Sequence, residues 1–415
     1  MYVTLRDRPA AREGRANAAR RRVAGTVVLL GVVSMFTDIS SESVNAVLPI
    51  YLTSFLGMSA LSYGFLDGLY QGVSALVRIL GGWLSDRTDH PKWIAFIGYF
   101  TSVVTRVLLI PAHTFAAISG VIAADRLGKG LRTAPRDALI ASSSPPEDQG
   151  RAFGVHRALD TVGALLGPLL AFWILWVVPN DYRTVFVVSL AFAVIGVAIL
   201  LLVVPDLRPR REGGTPRAAK VSLKLLLTPG LGRLVLATGL LGVLTVGDGF
   251  LYLELSARDS LATRYFPLLY IGTNAAYLVL AIPLGRFADR VGRARVFIGG
   301  HAALLAAYFF AGGPVAGAAA SVACLLLLGT YYAATDGVLA AISGSLVEKS
   351  VRASGIATAQ TAAALARFVS SLGFGLMWTE LGRSQALLVV GVLLALAIPA
   401  AAGLVRGVDR AKSQV

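Results

Sequence analysis

The chain has 415 residues, of which 56% are hydrophobic and only 15% charged, and its mean hydropathy is +0.70. Soluble globular domains carry about 25% charged residues, so this composition excludes an ordinary soluble protein and predicts a protein of the lipid bilayer. The formal net charge of +15 does not indicate nucleic-acid binding. The basic residues fall on alternate connections between apolar segments, which is a signal of membrane orientation.

Apolar segments long enough to cross a bilayer recur from residue 24 to residue 405. A transmembrane helix needs about 20 mostly apolar residues, and twelve such segments are predicted, separated by polar breaks. Their continuous Leu, Val, Ala and Gly runs do not alternate as the strands of a membrane barrel do, so the predicted fold class is an all-α membrane protein. The predicted spans are 24–54, 60–83, 93–111, 114–138, 153–178, 184–204, 231–256, 263–284, 295–312, 316–340, 354–378 and 384–405.

Lys and Arg concentrate in three segments: the amino-terminal stretch 1–23, the connection 205–230 and the tail 406–415. Because cytoplasmic segments carry an excess of Lys and Arg, both termini are predicted to be cytoplasmic in a plasma (cell inner) membrane. That orientation agrees with an even number of crossings. The connection 205–230, rich in Arg, Pro and Gly, is predicted to link two six-helix bundles, 24–204 and 231–405.

The first predicted helix carries two carboxylates, Asp38 and Glu42, four residues apart and therefore on one helix face. Two close carboxylates in a medium of low dielectric constant cannot both ionise cheaply, so one is expected to bind and release a proton. Asp38 is predicted to be the proton carrier, with Arg126 of the fourth predicted helix biasing its ionisation. Two alternatives are open: a permanent ion pair between Asp38 and Arg126, and a Glu42 that is merely solvated near the outer vestibule.

A short motif occurs twice, 203 residues apart, each time where an apolar run meets a basic turn. A second pattern, Glu-x-x-x-Arg-x-x-Gly from Glu147 and from Glu348, repeats with an offset of 201, so the chain is predicted to consist of two related halves. Glycine permits close helix approach, and a carboxylate accepts hydrogen bonds from a helix amino terminus. The motif is therefore predicted to latch the cytoplasmic face during conformational change, the alternative being a simple orientation anchor. Its key residues are Gly82, Asp86 and Arg87, and Gly285, Asp289 and Arg290.

The fourth predicted helix is unusually basic, with Arg126, Lys129, Arg132 and Arg136. Arg126 lies twelve residues into its segment, or about 18 Å at 1.5 Å per residue, and so near the bilayer centre. An ionised group at that depth needs a partner or a water-filled cavity, which favours a role for Arg126 and Asp125 in proton coupling. The alternative is a basic strip that reaches toward the cytoplasm and pairs with Asp125 and Asp137.

The fifth predicted helix contains Gly163-x-x-x-Gly167 followed by Pro168. Glycines four residues apart allow tight packing, and the proline removes a backbone hydrogen bond that resists bending. This segment is predicted to bend during gating, although such glycines often serve packing alone. A charged cluster at its cytoplasmic end, predicted to be an inner gate together with Arg136 or else a structural ion pair, contains His156, Arg157 and Asp160.

Polar residues within the other predicted helices are candidates for a substrate cavity: Asp67, Tyr70, Lys129, Asp248, Asn274, Tyr277, Asp336 and Arg367. Arg367 lies near the midplane and needs a partner, whereas Arg106 has no predicted partner. The single cysteine and the isolated histidines provide no metal spacing, so neither a metal nor a cofactor is expected. The chain lacks a phosphate-binding glycine loop ending in Lys-Ser or Lys-Thr, which argues against ATP as the energy source.

The repeated Gly-x-x-x-Asp-Arg motif, placed after the second and the eighth predicted helices, resembles that of the major facilitator superfamily, and the resemblance covers the whole membrane region. The first copy departs from it at Asp89, where glycine is usual. The segment around Arg126 resembles the family's helix 4 motif, with Lys129 in place of the usual glutamine. Gly163 to Pro168 resembles a motif found mainly in exporters that exchange substrate for protons.

This resemblance implies two bundles that rock around a midplane site, with Asp248 and Asp336 on cavity-lining helices. The predicted function is secondary active transport without enzymatic activity, with export of a small drug-like molecule or metabolite against protons as the leading expectation. One alternative is proton-linked uptake of an organic anion recruited by the basic fourth helix, and another is a receptor or scaffold that does not transport. The expected partners are a small-molecule substrate, protons and the bilayer, with no nucleic acid, and the protein is expected to be a monomer.

Overall fold

The computed structural model describes residues 23–87, 90–145, 148–206, 228–348 and 351–406, with the backbone alone described at 74–76, 78–87, 229 and 353. Most of the basic amino-terminal stretch, most of the predicted linker and most of the tail lie outside the described residues. So do the side chains of Gly82, Asp86 and Arg87 in the first copy of the repeated motif.

Thirteen helices of eleven residues or more make up most of the described chain, which contains no β-strand. They are α1 Gly25–Asn45, α2 Ala60–Arg87, α3 Pro91–Leu109, α4 Phe115–Ser142, α5 Gln149–Val177, α6 Tyr182–Leu202, α7 Pro229–Gly242, α8 Asp248–Arg258, α9 Phe266–Val291, α10 Arg293–Gly312, α11 Ala318–Ser345, α12 Arg352–Leu381 and α13 Arg383–Val405. Short helical turns, Leu48–Ile50 and Tyr51–Phe55, extend α1. Among the described residues, nine spans are long and apolar enough to cross a membrane. The predicted all-α class is confirmed.

The seventh predicted segment, 231–256, is broken into α7 and α8 rather than forming one helix. At the break, the Val246 backbone N–H donates to the Tyr308 hydroxyl (2.7 Å), and that hydroxyl donates to the Leu244 carbonyl (2.9 Å). Irregular backbone is tolerated at membrane depth only where protein or a cavity replaces its hydrogen bonds. The break therefore places the amino terminus of α8, with Asp248, inside the bundle. Hydropathy alone did not reveal it, although Gly247 and Gly249 are poor helix formers.

The helices pack in matching pairs in the two halves. In the first half α1 packs on α5 and α6, α4 packs on α2 and α3, and α3 packs on α6. In the second half α7 packs on α12 and α13, α11 packs on α9 and α10, and α10 packs on α13. The halves meet along α2 with α12 and along α5 with α9, so any space between them is bounded by helices of both.

The helical bundle has two ends, named here the basic end and the distal end. The basic end is where α3 begins at Pro91, α4 ends at Ser142 and α12 begins at Arg352. The distal end carries the connections 56–59 and 259–265. The halves touch most closely toward the distal end, where a methyl group on Gly64 of α2 would lie 2.3 Å from the Ser371 carbonyl oxygen of α12. Only glycine fits there, and α2 and α12 are therefore tightly packed against each other at this point.

Candidate functional site

Three buried charged residues form a cluster between α3 and α4. The Arg126 guanidinium pairs with the Asp125 carboxylate and lies 3.7 Å from the centre of the Tyr70 ring. Arg106 approaches the same carboxylate, with Nη2 3.5 Å from Oδ1. None of the three is more than 4% exposed, so two buried cations share one carboxylate. The sequence left Arg106 without a partner, because nothing in the chain indicates which residues of α3 face α4.

The other basic residues of α4 lie against α3 or near the basic end. Arg132 is buried, donates to the Ser102 hydroxyl (2.8 Å) and stacks over the Tyr99 ring at 4.6 Å. Arg136 pairs with Asp137 (2.9 Å). Arg132 is thus held by a hydroxyl and an aromatic face of α3 rather than reaching along the helix to the cytoplasm.

Asp38 lies where α1 crosses α5. A methyl group on Gly163 would lie 2.4 Å from the Met35 carbonyl oxygen and 3.1 Å from Asp38 Cβ. At Gly167 it would lie 2.9 Å from Glu42 Cβ. The two glycines therefore let α5 press directly against the acidic face of α1, and Pro168 is buried beside them.

The charged groups that act most strongly on Asp38 are Lys129 of α4, Asp160 of α5 and Glu42, and the Asp160 carboxyl is close enough to hydrogen-bond with it. Glu42 accepts a hydrogen bond from the Asn45 amide (3.2 Å). The structure thus places Asp38 with Asp160 and Lys129, whereas Arg126 is engaged by Asp125. Helix packing decides this arrangement, because Asp160 and Asp38 meet only through the glycine crossing.

His156 lies one helical turn before Asp160 toward the basic end of α5. It is 4% exposed, and neither ring nitrogen has a hydrogen-bond partner among the described residues. Arg136, Asp160 and Asp137 are the charged groups that act most strongly on it. The predicted gate residues Arg136 and Asp160 are therefore gathered around a buried histidine, while Arg157 is exposed.

Two cavities that share Gln71 as a wall lie between the halves, and a third space of about 420 Å³ lies between them toward the distal end, where Met58 faces Trp378. A central pocket of about 80 Å³ is lined by Asp67, Tyr70 and Asp248 among others. A larger cavity of about 520 Å³, on the basic side, brings together Arg157, Tyr277, Asp336 and Arg367. Of the predicted cavity residues, Lys129 and Asn274 line neither of these two spaces.

The polar groups of these cavities are held by specific contacts. Arg367 lies 3.7 Å from the Asp336 carboxylate and donates to the Tyr331 hydroxyl (3.3 Å). Asp67 accepts a hydrogen bond from Ser371 (2.6 Å), and Asp248 accepts one from Tyr332 (2.7 Å). The bond from Ser371 to Asp67 joins α12 to α2 and so crosses between the halves.

The second copy of the repeated motif forms an ion pair and a hydrogen bond at the basic end. Asp289 pairs with Arg293 (2.7 Å), and Arg293 donates to the Ala341 carbonyl of α11 (3.4 Å). Gly285 has open space around its Cα, and Arg290 is exposed. These described contacts of Asp289 and Arg293 stay within the second half. The Arg87 side chain lies outside the described residues, so the latch between Arg87 and Arg290 stays a prediction.

Replacing Gly167 by leucine tests the crossing of α1 and α5. The new side chain would meet the Ser43 backbone nitrogen at 2.8 Å and the Ile39 carbonyl at 3.0 Å, and overpacking of this kind costs about 1–3 kcal/mol. We expect a lower melting temperature of the purified protein and a loss of transport. Gly154→Leu is the matched control, because Gly154 lies on the same helix with open space around it. Equal melting temperatures for the two variants would contradict the tight crossing.

Comparison with known proteins agrees with this architecture. The model of the Major Facilitator Superfamily matches residues 30–262, more than half of the chain. An uncharacterised MFS-type transporter of Methanocaldococcus jannaschii is 29% identical over 370 residues, covering 87% of this chain and 90% of the relative. The Quinolone resistance protein NorA of Staphylococcus aureus is 25% identical over 199 residues, covering 47% and 50%.

Two solved structures share the fold. The nucleoside transporter NupG superposes with a TM-score of 0.79 at 14% identity, covering 92% of this chain and 99% of NupG. A bacterial homologue of the human lysosomal transporter Spinster, in an inward-facing and unoccupied conformation, superposes with a TM-score of 0.70 at 16% identity, covering 92% and 96%. With the family match over more than half its length, the chain belongs to the Major Facilitator Superfamily and is a multi-pass membrane transporter of that family.

Proposed function

We propose that this transporter exports a small amphipathic molecule, drug-like or a metabolite, in exchange for protons, by alternating access of two six-helix bundles, 24–204 and 231–405. In this proposal the chain crosses the plasma membrane twelve times as a monomer, with both termini in the cytoplasm. The observation that carries it is the glycine crossing of α1 and α5, where Gly163 packs against Asp38 and the charge of Asp160 acts on that carboxyl.

Two adjacent carboxyls away from bulk water favour sharing a proton, since both cannot ionise cheaply. Lys129 is the nearby positive charge that acts on Asp38, and its charge opposes proton uptake, so movement of α4 relative to α1 changes the proton affinity of the pair. His156, one turn from Asp160, extends this chain of titratable groups toward the basic end. Because this route leads toward the basic end, which is cytoplasmic in this proposal, we assign it to proton release into the cytoplasm.

Proton entry supplies the driving force in this scheme. One charge moving down the membrane potential is worth about 2.3 kcal/mol per 100 mV, which is enough to drive accumulation of a substrate against its gradient. The glycine pair of α5 and Pro168 lie directly beside the acids. A change of angle between α1 and α5 therefore couples proton binding to opening and closing of the bundles.

Export is favoured over uptake of an organic anion because the basic side chains of α4 contact other protein groups. Anion uptake rested on a basic fourth helix facing the substrate, but Arg126 is paired with Asp125 and Arg132 is bound to α3. Similarity to a quinolone resistance protein over about half of each chain supports a drug-like substrate. A receptor or scaffold role is not favoured by the 520 Å³ cavity between the halves, which a static scaffold does not need.

The proposal is tested with purified protein in liposomes that enclose a pH-sensitive dye. With a proton gradient imposed, we expect a quinolone such as norfloxacin to move against the direction of the protons, and its addition to change the internal pH. A protonophore is expected to abolish the accumulation. Movement of the substrate that ignores the gradient would contradict proton exchange, and movement in the same direction as protons would contradict export.

A further inference from the structure

We propose that the substrate carries a compact cationic head group, an ammonium, which binds in the central pocket between Asp67 and Asp248. This inference rests on the proposed transport function and adds the chemical class of its substrate. The two carboxylates come from different halves, Asp67 from α2 and Asp248 from the first turn of α8. A cation between them would therefore be held jointly by the parts that separate during transport.

Both carboxylates have free capacity to accept further hydrogen bonds. An ionised carboxylate offers about four acceptor sites, and the described bonds to Asp67 and Asp248 are one each, from Ser371 and Tyr332. No basic residue lines the central pocket within the described chain. Arg367 is the cation that acts on both acids, and it is already engaged by Asp336.

Counting these charges shows an excess of negative charge around the pocket. Asp67, Asp248 and Asp336 face one arginine, Arg367, at the centre, and Arg157 acts on Asp336 from the basic side. Asp67 and Asp248 are half-buried, and charges withdrawn from water without partners are costly. A cationic substrate or bound protons balance the excess, so substrate binding competes with protonation of Asp67 and Asp248, in addition to the proton exchange assigned to Asp38 and Asp160.

Four tyrosines complete the walls of the pocket: Tyr63, Tyr70, Tyr270 and Tyr332. Aromatic faces attract cations and form cages around quaternary ammonium groups, and Tyr70 already lies under the guanidinium of Arg126. Tyr63 is 4% exposed, and its hydroxyl packs against Gly249, next to Asp248. An ammonium-bearing ligand would fill a polar site that the protein itself leaves incomplete.

The sizes of the two cavities indicate a substrate with a small charged head group and a larger second portion. The central pocket, at about 80 Å³, holds a small ammonium or a few waters. Gln71 connects it to the cavity of about 520 Å³, which is in the range of sites for drug-sized molecules, about 300–1,000 Å³. The expected substrate is an amphipathic amine or quaternary ammonium with a larger apolar or aromatic portion.

The test is titration calorimetry of the full-length protein in nanodiscs with benzyltrimethylammonium, using benzenesulfonate as the anionic comparison. We expect the cation to bind and the anion not to bind. Affinity for the cation should fall by about tenfold or more in Asp248→Asn and in Asp67→Asn, since each removes a buried charge partner. Asp248→Glu should retain binding, and Asp206→Asn, an exposed position outside the pocket, serves as the matched control.

The outcomes separate this inference from the proposed function. Proton-coupled transport of a neutral or anionic amphiphile, without binding of benzyltrimethylammonium, would overturn the cationic site and leave the exchanger intact. Binding of the cation that depends on Asp67 and Asp248, together with transport that ignores a proton gradient, would uphold the site and overturn the proton coupling. If Asp248→Asn does not fold, Asp67→Asn and weaker binding at lower pH, where protons compete, still decide the question.

Discussion

Asp38→Asn is expected to abolish substrate-dependent proton movement while leaving the transporter folded and able to bind its substrate. The amide has the size of the carboxyl group but cannot exchange a proton, so the pair with Asp160 loses its ability to cycle between two charge states. Substrate addition to liposomes containing the variant is then expected to leave the internal pH at background. Asp206→Asn, an exposed carboxylate at the end of α6, should couple normally.

A second assay separates a proton carrier from a structural carboxylate. Exchange of labelled for unlabelled substrate across the membrane requires no net proton movement, so it is expected to persist in Asp38→Asn. If Asp38 served packing or a permanent ion pair, exchange and coupling would be lost together, and the melting temperature would fall as well. Unchanged coupling in Asp38→Asn would remove Asp38 from the proposed role.

The helices were predictable because each depends on a local property, the length of an apolar run. Long runs without internal charges, such as α6 and α13, begin and end within two residues of the predicted spans. The break between α7 and α8 was missed because the run stays apolar across it. There the lost helical hydrogen bonds are replaced by Tyr308, a residue of another helix, and no window of one segment contains that information.

The sequence indicated which charged residues belong to the site, but it did not indicate which of them contact each other. Buried charges such as Asp38, Arg126 and Arg367 stand out in apolar segments because burial of a charge demands a use or a partner. Which partner is near depends on helix adjacency and rotation. Arg106 reaches Asp125 only because α3 packs on α4, and Asp38 meets Asp160 only because Gly163 lets two backbones touch.

The surroundings of His156 also could not be predicted from the sequence, which left its role open between an inner gate and a structural ion pair. In the sequence His156 is one member of a charged cluster near the end of a helix. Residues at such positions are often exposed to solvent, so the sequence does not indicate that His156 is buried. Its burial and its two unpartnered ring nitrogens arise from the packing of α5 against neighbouring helices. The available signal was its spacing of four residues from Asp160, which places both groups on one helix face.

Asp125→Asn is expected to be the most destabilising of the carboxylate-to-amide substitutions considered. It removes the carboxylate that Arg106 and Arg126 share and leaves two buried guanidinium groups in each other's repulsive field. Breaking a buried pair by removing one partner costs about 3–5 kcal/mol, which should appear as a marked fall in the melting temperature of the purified protein. Tyr70 under Arg126 offsets part of this loss, because the cation–π contact remains.

The chain supplies its own control for this experiment. Arg136 and Asp137 are also sequence neighbours on α4 that form an ion pair, but the Asp137 side chain is 42% exposed, and solvent-exposed pairs contribute about 0–1 kcal/mol. Asp137→Asn should therefore change the melting temperature little. Adding Arg106→Leu to Asp125→Asn removes one of the two stranded cations and should restore part of the lost stability. A melting temperature for Asp125→Asn equal to that of Asp137→Asn would contradict the shared-carboxylate cluster, since two dehydrated arginines cannot lose the carboxylate that they share without cost.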